Sequence, residues 1–262
     1  MERSDRTVPA FVRLAAHPLR WRLLRELAGG GDHRVRELVG LVGEPQNLVS
    51  YHLRLLRDAG LVTARRSTFD ARDTYYHLDL ERCANALTAT GAALHPALTP
   101  DDPDDPAGSP PQTAPGPRLA VLFTCTGNSA RSPMAEAILE HRTGGRVEVT
   151  SAGSHPGHQL HPGAVRVLRE RYGIDVADRR PQPLDSMAGR RFDYVISLCD
   201  KVREVCPDFG GDTRRVHWSI PDPAATAAAD DDPAFARTAK DIDTRVRYLL
   251  PRLVHPTREV SP

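Results

Sequence analysis

The chain has 262 residues, four cysteines and a formal net charge of +1 at neutral pH. At ~100–200 residues per domain, this length predicts two domains, each able to bury its own core. So balanced a charge excludes a molecule-wide field drawing the chain to nucleic acid or membrane, and leaves any nucleic-acid contact to a local patch.

The opening stretch, MERSDRTVPAFVRL, has no long apolar core, and no run approaches the ~20 apolar residues that span a bilayer. The expectation is a cytoplasmic protein without a membrane partner. Cysteines in that compartment are reactive or metal-binding more often than they are structural bridges.

From Ala10 to Leu27, apolar residues recur at helical spacing: Phe11, Leu14 and Ala15, then Leu19, Leu23, Leu24 and Leu27, with Pro18 opening a second helix. Gly29 to Gly31 end it. Val35, Leu38, Val39 and Val42 predict a short amphipathic helix in RVRELVGLVG. The segment EPQNLVSYHLRLLRDAG (44–60) predicts another, with Pro45 as its first residue, Leu48, Val49, Leu53, Leu55 and Leu56 towards the core, and Gly60 at its end. Two helices around a short turn are the helix-turn-helix plan. LVTARRSTFDARDTYYHLDL (61–80) then alternates like two strands, with TFDARD as the tip of a wing. The polar face of the second helix offers Gln46, Asn47, Ser50, Tyr51, His52 and Arg54 to base edges and phosphates. On the wing, Arg65, Arg66 and Arg72 suit backbone phosphates. Residues 1–99 therefore predict a mainly α, winged helix-turn-helix DNA-binding domain.

Residues 100–117, PDDPDDPAGSPPQTAPGP, hold seven prolines and four aspartates, and predict an extended linker. Beyond it, strands and helices alternate over 118–262. Strands are expected in RLAVLFT, VEVTSAG, FDYVISL and RRVHWSI, and helices in PMAEAILEHRTG and HPGAVRVLRERYG. A closing amphipathic helix from Asp232 to Val254 carries Phe235, Ile242, Val246, Leu249 and Leu250, after a small-residue acidic loop at 224–232. This alternation predicts an α/β domain with a parallel sheet, its functional loops at the carboxyl ends of strands. Cys125 and Asp222 both fall at such ends.

The loop CTGNSARS follows the first of these strands and opens a helix, so successive backbone N–H groups of Thr126, Gly127, Asn128, Ser129, Ala130 and Arg131 surround a concavity. Gly127 permits the tight turn, and Asn128 can pin the loop. Arg131 supplies a fork for two oxygens of a tetrahedral oxyanion. The positive surroundings are expected to hold Cys125 as a thiolate that attacks, with Ser132 donating a hydrogen bond to it. The loop reads as a cradle for phosphate or its mimic arsenate. Farther on, Cys199 and Cys206 lie seven apart in LCDKVREVCPDFGG. In a helix that is two turns, ~10 Å at ~1.5 Å per residue. A disulfide needs Cα atoms within ~7 Å, so a bridge requires the segment to unwind. Pro207, Gly210 and Gly211 make that easy. His155, His158, His161 and His217 show no metal-ligand spacing, and no metal site is predicted.

On HPLRWRLLRELA, RVRELVGLVG, NLVSYHLRLLRDAGLVTARR and YYHLDL, residues 8–82 resemble the arsenic- and metal-responsive ArsR/SmtB repressors. That resemblance implies a homodimer, joined through this domain, that binds operator DNA and leaves it when an inducer binds. The chain departs from the pattern in HRVRELVG, where arsenite sensors commonly carry a cysteine pair, and Cys83 stands alone after the wing.

The C-x5-R-S pattern from Cys125 to Ser132, together with IPDP at 220–223, resembles the low-molecular-weight phosphotyrosine phosphatase superfamily. This implies that Asp222 is the general acid protonating the leaving oxygen. Over 118–254 the resemblance is to thioredoxin-coupled arsenate reductases. It implies a relay in which Cys125 attacks arsenate, Cys199 attacks Cys125, and Cys206 resolves the bridge, with thioredoxin or another thiol reductant reopening Cys199–Cys206. Ala224 and Ala225 replace the tyrosines that phosphatases of this fold usually place after the acid. Ala130 stands where many reductases carry another cysteine. Asn128, Glu136 and Ser151 match positions that bind a potassium ion in some reductases, so potassium is a cofactor expectation. Two alternatives stay open: a sensor whose second domain captures arsenic through its thiols, and a phosphatase fused to a DNA-binding domain.

Overall fold

A computed structural model describes residues 8–95, 119–226 and 232–254. The linker read at 100–117 and residues 227–231 of the acidic loop lie outside them. The described chain forms two compact units whose hydrophobic cores share no residue. Among the described residues, no helix is long and apolar enough to cross a membrane.

The first unit starts with α1 (Ala10–Ala15) and α2 (Pro18–Gly30). Pro18 occupies the first turn of α2, where its missing N–H leaves no bond unmade, and the His17 ring nitrogen accepts from Leu19 N at 3.2 Å. A two-residue strand, β1 (His33–Arg34), leads into α3 (Val35–Val42), which Glu37 closes with a capping box and Gly43 ends in the left-handed conformation. Next come α4 (Gln46–Asp58) and the wing strands β2 (Val62–Arg66) and β3 (Thr74–Leu78). These strands pair antiparallel from Val62↔Leu78 to Arg66↔Thr74, and β1 adds on the far side of β3 in the order β1-β3-β2. Leu23, Leu38, Leu53 and Leu56 are fully buried, each stabilising the unit by ~1.5–3 kcal/mol.

Three sequence expectations change here. Pro45 precedes α4 with extended backbone instead of opening it. Leu48 is 37 % exposed, because Val49, Leu53 and Leu56 already fill the core stripe. Moreover, a helix that the sequence reading left out, α5 (Leu80–Leu94), follows the wing, capped by Asp79 on Arg82 N.

The second unit is a four-stranded parallel sheet in the order β5-β4-β6-β7: β4 (Ala120–Cys125), β5 (Glu148–Gly153), β6 (Tyr194–Ser197) and β7 (Arg214–His217). Connecting it are α6 (Arg131–Thr143), α7 (Pro162–Tyr172), a short 3-10 turn at Leu184–Met187, α8 (Asp200–Val205), α9 (Pro223–Thr226) and α10 (Asp232–Val254). Parallel strands need such crossovers, and with both faces covered β4 and β6 become almost wholly buried. Phe123, Met134, Ile138, Leu168 and Phe235 belong to the single core that results.

Candidate active site

Cys125 ends β4, and α6 begins at Arg131, two residues earlier than its proline suggested. Pro133 falls within the first helical turn, where no N–H is required of it. What shapes the loop between is the fate of its carbonyls. Those of Cys125, Thr126, Gly127 and Ser129 accept from the N–H groups of Ser154, His155, Gly157 and His161 at 3.2, 2.8, 2.9 and 2.8 Å. With these oxygens drawn outward to the β5–α7 connection, the loop N–H groups are left to line the concave side, which suits a bound anion.

Asn128 takes a positive φ of 43°, a left-handed conformation that asparagine tolerates better than most side chains. Its side chain stabilises this turn three ways. Oδ1 accepts from Gln182 N at 2.6 Å, and Nδ2 donates to Ser132 Oγ at 2.9 Å and to Ser151 Oγ at 2.8 Å. Gly153 makes the close approach possible. A Cβ built there would lie 2.6 Å from Thr126 O and 2.8 Å from Asn128 N.

Cys125 lies at the floor of the concavity, with Ser132 Oγ 2.9 Å from its sulfur. Burial pushes its thiol up, while Arg131, the Ser132 hydroxyl and the Ser132 N–H pull it down. The net direction is up, which corrects the expectation that positive surroundings alone ionise this sulfur. Desolvation wins because the sulfur is enclosed by the core as well as by the loop. The buried Arg131 guanidinium donates to Ile220 O at 3.0 Å and to Asp222 Oδ2 at 2.8 Å, so the aspartate is tied to the loop through its arginine.

Cys199 follows β6, which is hydrogen-bonded directly to β4. Its sulfur lies 3.3 Å from Thr126 Oγ1 in the loop. The helix expected to carry Cys199 and Cys206 is shorter than the two turns between them. Cys199 is the extended residue before α8 and Cys206 the one after it, so they flank the helix instead of sharing its face. The start of α8 is held through Asp200, 3.1 Å from His217 Nε2, and His217 Nδ1 lies 2.9 Å from Ser197 Oγ. At the other end, Arg215 donates to the carbonyls of Cys206 and Pro207. Burial raises the Cys206 thiol, opposed by Arg215.

Asn128, Glu136 and Ser151 do come together, yet they do not fit a potassium ion. Such a cation needs oxygen lone pairs converging on one point. Here Asn128 presents N–H groups, its carbonyl oxygen is taken by Gln182, and the Ser151 hydroxyl donates to Glu136 at 2.6 Å. The carboxylate already has a cation in Arg179, 3.3 Å away.

In the first unit, Gln46, Asn47, Ser50, Tyr51 and Arg54 are exposed on α4, as are Arg66 and Arg72 on the wing, while Arg65 is half-buried. His52 is not on that face. It is 4 % exposed, packed against His17 with ring centroids 4.4 Å apart and the ring planes tilted by 39°, and its Nδ1 has no partner. Helical spacing puts residue 52 beside Val49 and Leu56, so it turns inward, and it is withdrawn as a base contact. Cys83 lies against the first core, bonded to Leu61 O at 3.8 Å, and burial raises its thiol to about 11.

Sequence reasoning missed Gly153, Gln182, Arg179 and the 154–161 backbone. The S-A-G ending of β5 was the only local signal for any of them.

A family described as "Low molecular weight phosphotyrosine protein phosphatase" matches residues 120–259, and one described as "Bacterial regulatory protein, arsR family" matches residues 17–64. An arsenate reductase of Brevibacillus brevis is 37 % identical over 130 residues, 50 % of this chain and 92 % of that protein. Another, from Halalkalibacterium halodurans, is 34 % identical over 132 residues, 50 % of this chain and 94 % of that protein. Among solved structures, an arsenate reductase from Archaeoglobus fulgidus aligns at a TM-score of 0.42 and 29 % identity, covering 50 % of this chain and 98 % of that one.

Proposed function

Because residues 120–259 make this chain a member of the low molecular weight phosphotyrosine protein phosphatase family, with an arsR-type helix-turn-helix ahead of them, we propose that it is an arsenic-resistance protein joining a DNA-binding regulator to an arsenate reductase. One observation carries this reading. A second sulfur, Cys199, stands at the end of the strand beside the nucleophile's and touches the same loop. A phosphatase needs one thiol there, whereas a reductase needs two.

In this reading the loop N–H groups and Arg131 hold the arsenate oxygens. Arg131 exchanges its bonds to Asp222 and Ile220 for the anion, which frees Asp222 to serve the leaving oxygen. The thiol proton of Cys125 passes to the anion, and the sulfur bonds to arsenic as a protonated oxygen leaves as water. Cys199, as its thiolate, then attacks the Cys125 sulfur. The S–As bonding pair stays on arsenic, reducing As(V) to As(III), and arsenite departs. Next, Cys206 attacks Cys199, releasing Cys125 and forming Cys199–Cys206. An external dithiol, thioredoxin or similar, reduces that bridge. Since Cys199 and Cys206 flank α8, the last exchange requires this six-residue helix to open.

For the first unit we propose operator binding through Gln46, Asn47, Ser50, Tyr51 and Arg54 on α4, with Arg65, Arg66 and Arg72 on phosphates. A second copy covers α1 and α5. Neither helix has a buried residue, and Leu87 and Leu94 are 55 % and 76 % exposed. Cys83, pushed up and turned inward, is no arsenic ligand by itself.

The test is arsenate-dependent NADPH oxidation by the full chain coupled through thioredoxin and its reductase. Cys125→Ser is expected to abolish it. Cys206→Ser should give one round and accumulate a Cys125–Cys199 disulfide seen by peptide mapping. Repeated turnover by that variant would refute the relay, and aryl phosphate hydrolysis far faster than arsenate reduction would favour the phosphatase.

A further inference from the structure

Glu136 is a half-buried carboxylate that the proposed chemistry does not use. It lies on α6, one helical turn after Ser132. Burial pushes its carboxyl up, while Ser151 and Arg179 pull it down and Glu140 opposes them. Arg179 comes from the segment after α7 and also binds Glu140 at 2.6 Å.

From Glu136 a continuous line of hydrogen bonds runs to the reactive sulfur, and each link has a direction. The carboxylate can only accept, so Ser151 Oγ donates to it. Ser151 therefore accepts from Asn128 Nδ2. That amide cannot turn over, because its oxygen is held by Gln182 N. Its nitrogen also donates to Ser132 Oγ. Having accepted there, Ser132 has its own proton free for Cys125, 2.9 Å away. A donor aimed at sulfur favours the thiolate.

We propose that Arg179 is a positioning residue: its guanidinium, 3.3 Å from Glu136, anchors that carboxyl as the acceptor of Ser151 and thereby, through Ser151 and Asn128, fixes the Ser132 proton on Cys125. A side chain of the protein itself thus supplies the positive charge that the family resemblance led us to expect from potassium. The inference rests on Cys125 being the nucleophile, but not on what it attacks.

The experiment measures iodoacetamide labelling of Cys125 against pH, by peptide mapping of the reduced full chain, in KCl and in NaCl of equal ionic strength. Wild-type protein is expected to show the same profile and the same thermal midpoint in both salts. Arg179→Gln should lower labelling at neutral pH by about tenfold, the equivalent of one pH unit in the sulfur's titration. Arg179→Lys should recover much of it. Ser151→Ala, which cuts the line without removing a charge, should act in the same direction and decides the matter if Arg179→Gln does not fold. Arg131 and Cys199, which also face the sulfur, are intact in all three variants. A potassium-specific rise in the wild-type midpoint would overturn the proposal. So would a lower midpoint for Arg179→Gln or Ser151→Ala with an unmoved labelling profile. Because no arsenate is present, absence of reductase turnover would sink the functional reading and leave this result standing.

Discussion

Gly153 has no catalytic atom, yet the cradle closes on it. Alanine there would press its Cβ on Thr126 O and Asn128 N, both backbone atoms that cannot rotate aside. The expected outcome for Gly153→Ala is a folded protein, destabilised by ~1–3 kcal/mol, in which the cradle is pushed out of line. Misplacement on the scale of 1 Å costs up to ~100-fold in rate, so kcat/KM for arsenate should fall at least ~10-fold. An unchanged kcat/KM would show that the loop yields freely. Residue-scale legibility was uneven for the same reason. Cys125, Arg131 and Ser132 could be read because their spacing encodes a local turn. Gly153 and Gln182 could not, since they act through backbone contacts with residues tens of positions away. Nor was the upward push that burial gives the Cys125 thiol legible, because burial is a property of the assembled core.

Among the elements, those with a strong apolar period were legible and those with a weak one were not. The stripe of α4 predicted a helix, but Leu48 belongs to its exposed shoulder and His52 to its buried edge. The helix α5 went unread because it is rich in alanine and buries no residue. Its two exposed leucines are the reason to expect a partner copy on it. Leu87→Glu should therefore convert a dimer into a monomer in light scattering and weaken operator binding, while arsenate turnover persists. A dimer that survives the charge would place the interface elsewhere. The opposite kind of error affected α8, where a two-turn helix was read and a shorter one is found, its two ends tied by Asp200 and Arg215.

At the largest scale, two cores that share no residue predict two unfolding transitions, and the two tryptophans report on them individually: the half-exposed Trp21 in the first unit and the buried Trp218 in the second. Burial, then the charges of His17 and Arg20, lower the His52 imidazole below its ordinary 6.5. The folded unit therefore prefers the neutral ring. The stability this gives is intact above that ordinary value and is lost as the pH falls below it, because the unfolded chain then takes up a proton that the native one resists. Urea unfolding at pH 7 and pH 5 should show the Trp21 transition moving to lower urea at the acid pH, and His52→Leu should diminish the shift. An equal shift in the variant would assign the acid sensitivity to another group. The two-unit plan was legible from the proline-rich break and from the change from helical to alternating patterns. The parallel order β5-β4-β6-β7 was not, because nothing local records which strands become neighbours. That order has a consequence for how such a protein can diverge. With Thr124 paired to Ser197, the ladder acts as a gauge: it ends one residue before Cys125 and two before Cys199, so the register of strands ~4.8 Å apart sets where both sulfurs emerge. Side chains alternate along a strand, so one codon gained or lost in the middle of β6 would rotate Cys199 to the opposite side. Such a lineage could keep every reactive residue and still lose the chemistry, whereas the surface connections are free to lengthen.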